Sequence, residues 1–296
     1  MLNHSPIFVN GFQRGGTNIL VNLIASHPDV ELLGGETHEL FLGKPGQTWN
    51  KWLARAIYLP VVTITRQHIF SPSVLEERRD PPEFLKRYID AHFYFSKRRP
   101  KPNPIHRENE NGKRNHNEDR RLICKNVNGV VFTTSLFRTM YKDAVFLALV
   151  RNGFALCEGF LRRGWTASRF GKFYNKICSK ILQDARTMDN YHVVTFEELM
   201  ADPSAFVQKV YEYSRLNIGE VDHFQLQAKP SMDKDGNRKY SFGGKVDRER
   251  RWFTRDQLAS CFRADVNENQ IAQLTDEQKN EFLKEARYSM EALGYL

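Results

Sequence analysis

The sequence lacks several features that are each typical of a large class of proteins. It has no run of about 18 apolar residues, so a membrane-spanning helix is not predicted. Its four cysteines lie far apart and form no CxxC pair, which gives no support to a zinc site or a disulfide framework. The first apolar stretch, Pro6 to Val9, is too short for the core of a signal peptide. We therefore expect a cytoplasmic protein.

The sequence does contain enough apolar and aromatic residues for a large core. Of its 296 residues, 41% are hydrophobic, with 21 Phe and 11 Tyr, and the net charge is +9. Residues 97–121 hold nine Lys or Arg against four Asp or Glu, which is more than half of the excess. We expect a single domain over residues 1–296 with a flexible basic insertion at 97–121. Charge alone does not distinguish nucleic acid from anionic small molecules or acidic acceptors.

Apolar runs and helical patterns alternate along the chain. Apolar residues at helical spacing follow more than one of the apolar runs. The last predicted helix begins at a capping box formed by Thr275 and Gln278. The alternation predicts an α/β fold with a P-loop-like parallel sheet flanked by helices on both faces. Ligands of such sheets bind beyond the carboxyl ends of the strands. The predicted strands are 7–9, 122–124, 144–150 and 192–196, and the predicted helices are 18–26, 84–95, 153–163 and 203–216.

A glycine-rich segment, GFQRGGTN at residues 11–18, links the first predicted strand to the first helix. Glycines let backbone N–H groups converge on an anion, and the following helix presents its positive end. Arg14 adds a guanidinium that matches phosphate or sulfate oxygens, and Thr17 can donate a hydroxyl. The Lys-Ser/Thr of a Walker A loop is missing, which argues against an ATPase or kinase. We predict an anion site formed by Arg14, Gly15, Gly16, Thr17 and Asn18.

This loop and the landmarks after it resemble the sulfotransferases that use 3′-phosphoadenosine 5′-phosphosulfate (PAPS). The closest pattern is that of the protein-tyrosine sulfotransferase branch, roughly PRSGTT, a helix, HPxV and GEET. The chain reads QRGGTN at 13–18, HPDV at 27–30 and GGET at 34–37, and it closes with LGY at 293–295. The resemblance implies the sulfotransferase fold, PAPS as the cosubstrate and transfer of a sulfuryl group to an acceptor hydroxyl.

The resemblance also implies catalytic roles. Glu36 would be the base, with His38 and Glu39 as neighbouring alternatives. Lys125 would contact the bridging or sulfuryl oxygens, and Arg14 would add positive charge at the same place. Sulfuryl transfer needs a base, stabilisation of the oxygens and an in-line geometry, much as phosphoryl transfer does. It needs no bound metal, so we predict none.

The 3′-phosphate of the donor would bind to the segment that follows the strand at 144–150. The resemblance implies Arg151 and Arg163 as its ligands, with Gly159 between them at a position where the family has serine. That substitution removes a hydroxyl ligand. Ser231 and Lys245, in a polar segment at 229–252 that we expect to be a loop, are further candidates for nucleotide contacts. The segment FEEL at 196–199 is interpreted as structural.

Two other functions stay open on the sequence alone. A P-loop phosphotransferase would need a magnesium site, for which no partner aspartate follows an apolar strand. A non-catalytic polyanion-binding protein would use the basic insertion at 97–121 and would bind with a steep salt dependence. The acceptor is not indicated either, since a peptide tyrosine, a glycan and a small molecule all fit. We expect neither nucleic acid nor membrane as a partner.

Overall fold

The main element of the fold is a parallel sheet. The computed structural model describes residues 2, 4–33, 36–42, 56, 83–98, 120–232, 238–241 and 249–296. The five strands of the sheet are β1 Ile7–Gly11, β2 Val30–Leu32, β3 Arg121–Val127, β4 Val145–Val150 and β5 Tyr191–Thr195. They lie in the order β2-β3-β1-β4-β5, and every neighbouring pair is parallel. The α/β class and the parallel sheet expected from the sequence are confirmed.

Helices connect and flank these strands. They are α1 Thr17–Ile24, α2 Glu39–Leu42, α3 Glu83–Arg98, α4 Thr134–Met140, α5 Gly153–Leu161, α6 Ala167–Thr187, α7 Phe196–Ala201, α8 Pro203–Ser214, α9 Arg255–Cys261, α10 Val266–Ile271 and α11 Asp276–Ala292. Short 3₁₀ helices lie between these elements, at Asn128–Thr133 and Ile218–Glu220. Among the described residues, none of the helices combines the length and the hydropathy needed to cross a lipid bilayer.

Successive side chains of the central strands belong to two different apolar cores. Phe8 and Phe146 pack in one core with residues of α3, α5, α6 and α11. Val9 and Leu147 pack in the other core with residues of α1 and α8. All of β4 is buried, as expected for a central strand with helices on both of its faces. The predicted cover of helices on both faces is therefore confirmed.

The segment at 229–252, which we expected to be a polar loop, instead contains strands. β6 Phe224–Met232 pairs antiparallel with β7 Arg238–Ser241 on one side and with β8 Glu249–Phe253 on the other. Phe224 and Leu226 are buried in the same core as α1. β6 thus begins before the predicted loop with a period-two alternation, and its pairing with β7 and β8 continues the strand structure into the charged segment.

The predicted basic insertion has short ordered ends. Helix α3 continues to Arg98, and β3 already begins at Arg121. The rest of the insertion lies outside the described residues.

Two asparagines lie opposite each other in the middle of the sheet. Asn10 of β1 is in register with Asn126 of β3, and both side chains are fully buried. Asn126 Nδ2 donates to Asn10 Oδ1 at 3.0 Å. Asn10 Nδ2 in turn donates to Thr134 Oγ1 and to the hydroxyl of Tyr191, both at 3.0 Å. The network ties β1, β3, α4 and β5 together in a region of low dielectric, where each unmade hydrogen bond is costly.

Replacing Asn10 with alanine should therefore destabilise the protein strongly. The substitution leaves Asn126, Thr134 and Tyr191 with unpaired buried groups, so we expect a loss of about 2–4 kcal/mol in urea denaturation. The control is Asn22→Ala, whose Nδ2 only donates to Asn18 O on the exposed side of α1, and it should cost less than about 1 kcal/mol. Equal losses for the two variants would contradict the role of the network.

Candidate functional site

Residues 12–16 make the turn between β1 and α1. Gly15 N–H donates to Phe12 O at 3.1 Å, which closes the turn on itself. Gln13 N–H donates to Asn128 Oδ1 at 3.0 Å, which ties the turn to the end of β3. Phe12 is buried, and its ring stacks on that of Tyr174 at 5.2 Å between centroids. The loop is therefore held in place before any ligand binds.

The second half of the turn aims the start of α1 outward. Arg14 and Gly16 take left-handed φ values of 64° and 90°. A Cβ on Gly16 would lie 2.6 Å from the Phe196 ring, so the position requires glycine. No side chain caps α1, which starts at Thr17. The positive end of the helix is therefore available to an anion.

A carboxylate and an ammonium group meet next to this helix end. Lys125 Nζ lies 2.5 Å from Glu36 Oε1 and donates to Asn18 Oδ1 at 2.7 Å. His38 Nδ1 lies 3.1 Å from the other carboxylate oxygen of Glu36. Burial alone would raise the pKa of Glu36, but hydrogen bonds and charges from His38 and Lys125 outweigh it and lower the pKa to about 2. The structure thus brings Lys125 together with Asn18 and Glu36, which lie about 90 or more positions before it in the sequence.

The buried asparagine network also positions this ion pair. Thr37 N–H donates to Lys125 O at 3.2 Å, and the Thr37 hydroxyl lies 3.0 Å from the same oxygen. The hydroxyl is also within hydrogen-bond distance of Asn126 Oδ1. Lys125 lies within β3, and not after it as we expected, because pairing with β1 continues to Val127.

Arginines surround the outer side of the loop. The Arg14 side chain passes over α5, with its Cδ 3.1 Å from where a Cβ on Gly159 would lie. Arg163 Nη1 donates to Gln13 Oε1 at 3.0 Å. Burial, together with the charges of Arg163 and Arg162, lowers the pKa of Arg14. Gly159 therefore makes room for Arg14 in a strongly positive region that suits an anion with several charges.

Arg151 follows β4 and is only 5% exposed. Its Nη1 donates to Arg14 O at 2.8 Å, which fastens the left-handed residue of the loop. Its guanidinium lies 4.2 Å from the centre of the Phe196 ring. Burial lowers its pKa to about 10, so the group stays charged at neutral pH. Arg151 is thus next to the loop, but it is largely covered by protein.

Two residues that the sequence reasoning did not assign to the site support this region. Glu197 Oε1 accepts from Asn152 N–H at 3.0 Å, directly after Arg151. Glu197 Oε2 accepts from the hydroxyl of Tyr295 at 2.8 Å. Burial, helped by the negative charge of Glu197, raises the pKa of Tyr295 above its usual range. The LGY motif at 293–295 was the sequence signal that could have indicated Tyr295. In the structure its hydroxyl holds the carboxylate of Glu197.

Two predicted nucleotide contacts cannot be placed against this site. Ser231 belongs to β6, but its side chain is not described. Lys245 lies outside the described residues. Both assignments stay predictions.

Among the described residues, one group has the composition of a metal site, namely His27, Asp29 and Glu220. Asp29 N–H donates to His27 Nδ1 at 3.0 Å, and His27 Nε2 lies 3.2 Å from Asn217 O. Both ring nitrogens therefore already have protein partners. The arrangement is explained by the junction between β2 and the second 3₁₀ helix, without a metal.

Comparisons with known proteins point to one family. A model described as the sulfotransferase family matches residues 6–220, which is more than half of the chain. No curated protein matches the sequence.

Solved structures with some similarity include the sulfotransferase domain of the Synechococcus PCC 7002 olefin synthase. It is 18% identical, with 75% of this chain and 78% of that chain covered and a TM-score of 0.43. A sulfotransferase from Mycobacterium tuberculosis H37Rv is 16% identical, with 73% and 68% covered and a TM-score of 0.40. A retinol dehydratase in a complex with retinol and PAP is 12% identical, with 74% and 62% covered and a TM-score of 0.33.

The low pKa of Glu36 makes its contribution to stability depend on pH. A carboxyl whose pKa falls from 4.5 to about 2 on folding stabilises the folded state above pH 4.5, and that contribution is lost as the pH falls towards 2. Glu36→Gln should be less stable than the wild type at pH 6 by about 1–2 kcal/mol. Urea denaturation between pH 6 and pH 2.5 should show this gap closing. A gap that does not change with pH would contradict the assigned pKa.

Proposed function

The chain belongs to the sulfotransferase family, and we propose that it transfers a sulfuryl group from PAPS to the hydroxyl of an acceptor. The observation that carries this proposal is the pairing of Glu36 with Lys125 beside the uncapped start of α1. An anion site, a mobile cation and a carboxylate base are the groups that the reaction needs.

The 5′-phosphosulfate of the donor belongs at the loop. The N–H groups of Gly16, Thr17 and Asn18 lie at the positive end of α1, which favours negative charge, whereas Gly15 N–H closes the turn by donating to Phe12 O. Arg14 extends from the same turn and adds a guanidinium that can bind two oxygens at once. Thr17 is the first residue of the helix, where its hydroxyl can add a donor. Substrate oxygens would thus meet donors that are already oriented by the fold.

Lys125 and Glu36 would act in sequence. Before the donor binds, Lys125 neutralises Glu36 and lowers its pKa. When Lys125 turns towards the sulfuryl and bridging oxygens, Glu36 loses a donor and a nearby positive charge, and its basicity rises. Glu36 then takes the proton of the acceptor hydroxyl as the acceptor oxygen bonds to sulfur. The bond from sulfur to the leaving phosphate oxygen breaks in line, and Lys125 stabilises the charge left on that oxygen.

The 3′-phosphate of the donor is assigned to the edge where Arg163, Gly159 and Arg151 lie near the loop. Arg163 is exposed and already contacts the loop through Gln13. Gly159 offers no hydroxyl, so its contribution is the space that it leaves for Arg14. Arg151 is the residue that reaches both the loop and this edge. Ser231 and Lys245 are proposed as additional contacts.

The acceptor is proposed only as a hydroxyl compound. The motif pattern favours the tyrosine branch of the family, which makes a peptide tyrosine the first class to test, before glycans and small molecules. The pairing of Glu36 with Lys125 is compatible with all three classes of acceptor, because the proposed base acts only on the hydroxyl that reacts.

Nucleotide binding tests the proposed donor directly. A ligand that binds only the folded state raises the melting temperature by mass action. Adenosine 3′,5′-bisphosphate should therefore raise the melting temperature more than AMP or ATP at equal concentration. An equal rise with ATP, or no rise with the bisphosphate, would contradict PAPS as the donor and would favour a phosphotransferase or a polyanion-binding protein.

Substitutions in the site should separate binding from transfer. Arg14→Ala should weaken bisphosphate binding by about 10–100-fold, because a charged donor is lost. Glu36→Gln should change binding by less than about 3-fold and should lower the release of bisphosphate from PAPS, measured with a tyrosine peptide and phenol as acceptors, by at least about 100-fold.

Glu39→Gln is the matched control for Glu36, since it removes a neighbouring carboxylate of the same type. It should keep wild-type transfer. If Arg14→Ala and Glu36→Gln lose binding equally, Glu36 is not the base. If Glu39→Gln abolishes transfer while Glu36→Gln does not, the base is Glu39.

A further inference from the structure

The guanidinium of Arg151 is already bound by helix α10. Its Nε donates to Asn267 Oδ1 at 2.8 Å, and its Nη2 donates to Gln270 Oε1. Both acceptors are neutral amide oxygens. A phosphate that bound the side of the guanidinium formed by Nε and Nη2 would need the same donors, so it cannot share that side with the two amides.

The same two amides also bind carboxylates. Asn267 Nδ2 donates to Glu197 Oε1 at 2.5 Å, and Gln270 Nε2 donates to Glu158 Oε2 at 3.1 Å. Each amide therefore accepts from the arginine with its oxygen and donates to an acid with its nitrogen. The arrangement keeps Arg151 charged and hydrogen-bonded in a buried place, which an unpaired cation could not tolerate.

Helix α10 is held in part by these polar contacts. It has six residues, none of which is fully buried, and its N-cap side chain accepts no hydrogen bond from a backbone N–H of the helix. Val266 packs half-buried against the core that contains α1, so displacing the helix would expose this side chain as well as break the hydrogen bonds. The carboxylates would keep partners without it, because Glu158 has Arg162 at 2.5 Å and Glu197 has Asn152 and Tyr295.

We propose that Asn267 and Gln270 occupy Arg151 in place of the 3′-phosphate and are displaced when the donor binds. This inference rests on the proposed function. Charged oxygens are stronger acceptors for a guanidinium than amide oxygens, so a 3′-phosphate can replace the amides whereas a ligand without one cannot. The two residues thereby set the selectivity for a donor with a 3′-phosphate, and they lower its apparent affinity by the cost of their displacement.

The test is isothermal titration of the wild type and of the double variant Asn267→Ala/Gln270→Ala. Removing the competing amides should raise the affinity for adenosine 3′,5′-bisphosphate by roughly 10-fold and leave the affinity for AMP unchanged. Asn269→Ala is the matched control, because this amide on the same helix donates to Asp265 instead. It should bind like the wild type. Unchanged or weaker bisphosphate binding by the double variant would overturn the proposal.

Hydrogen exchange on the wild type gives a second readout that needs no variant. Bisphosphate, but not AMP, should speed the exchange of the amides of α10 as the helix is released. Slower exchange there would show that α10 closes on the nucleotide, which would overturn displacement. If neither the wild type nor the double variant binds bisphosphate, the proposed function fails with it. Binding by the wild type without a change in the double variant rejects the role of the amides alone.

Discussion

The hydrogen-bonded pair of Asn10 and Asn126 in the middle of an apolar sheet is the interaction on which the candidate site depends. These polar side chains are buried where few alternative partners exist, so the register of β1 and β3 cannot shift without breaking several hydrogen bonds at once. The register determines where β1 ends and the glycine-rich turn begins. It also determines where Lys125 leaves β3 and where Thr37 attaches the segment that contains Glu36. Glu36 and Lys125 are therefore placed by a contact that neither of them makes.

Ion pairs lie on both sides of the glycine-rich turn. Lys125 satisfies Glu36, and the two sit at the positive end of α1 without a net excess of either sign. On the other side of the turn, burial and the charges of Arg163 and Arg162 lower the pKa of Arg14. Glu158, which pairs with Arg162, offsets part of this effect. An anion bound at the loop would add negative charge beside these arginines and would offset the remaining repulsion between them.

Arg151 connects the two ends of the region. Through Arg14 O it holds the left-handed residue of the loop, and through amides it reaches acids that are themselves bound to other elements. One of these acids, Glu197, is held by Tyr295 near the end of the chain. Elements distant in sequence thus converge on the loop through these hydrogen bonds and through the Phe196 ring, which lies against the guanidinium of Arg151.

The local sequence determined the central strands β1 and β4, the glycine-rich turn and several helix ends, because periodicity, glycine and capping residues act over a few positions. The apolar run of β4 and the capping box at Thr275 are as predicted. The pattern did not reveal the long helix α6 or the antiparallel strands around β6, where charged residues mask the apolar alternation. Only the tertiary structure decided that Lys125 pairs with Glu36 and that α10 covers Arg151. Those contacts join residues about 90 and more than 110 positions apart. The residues next to each partner in the sequence do not indicate which distant group the fold places against it.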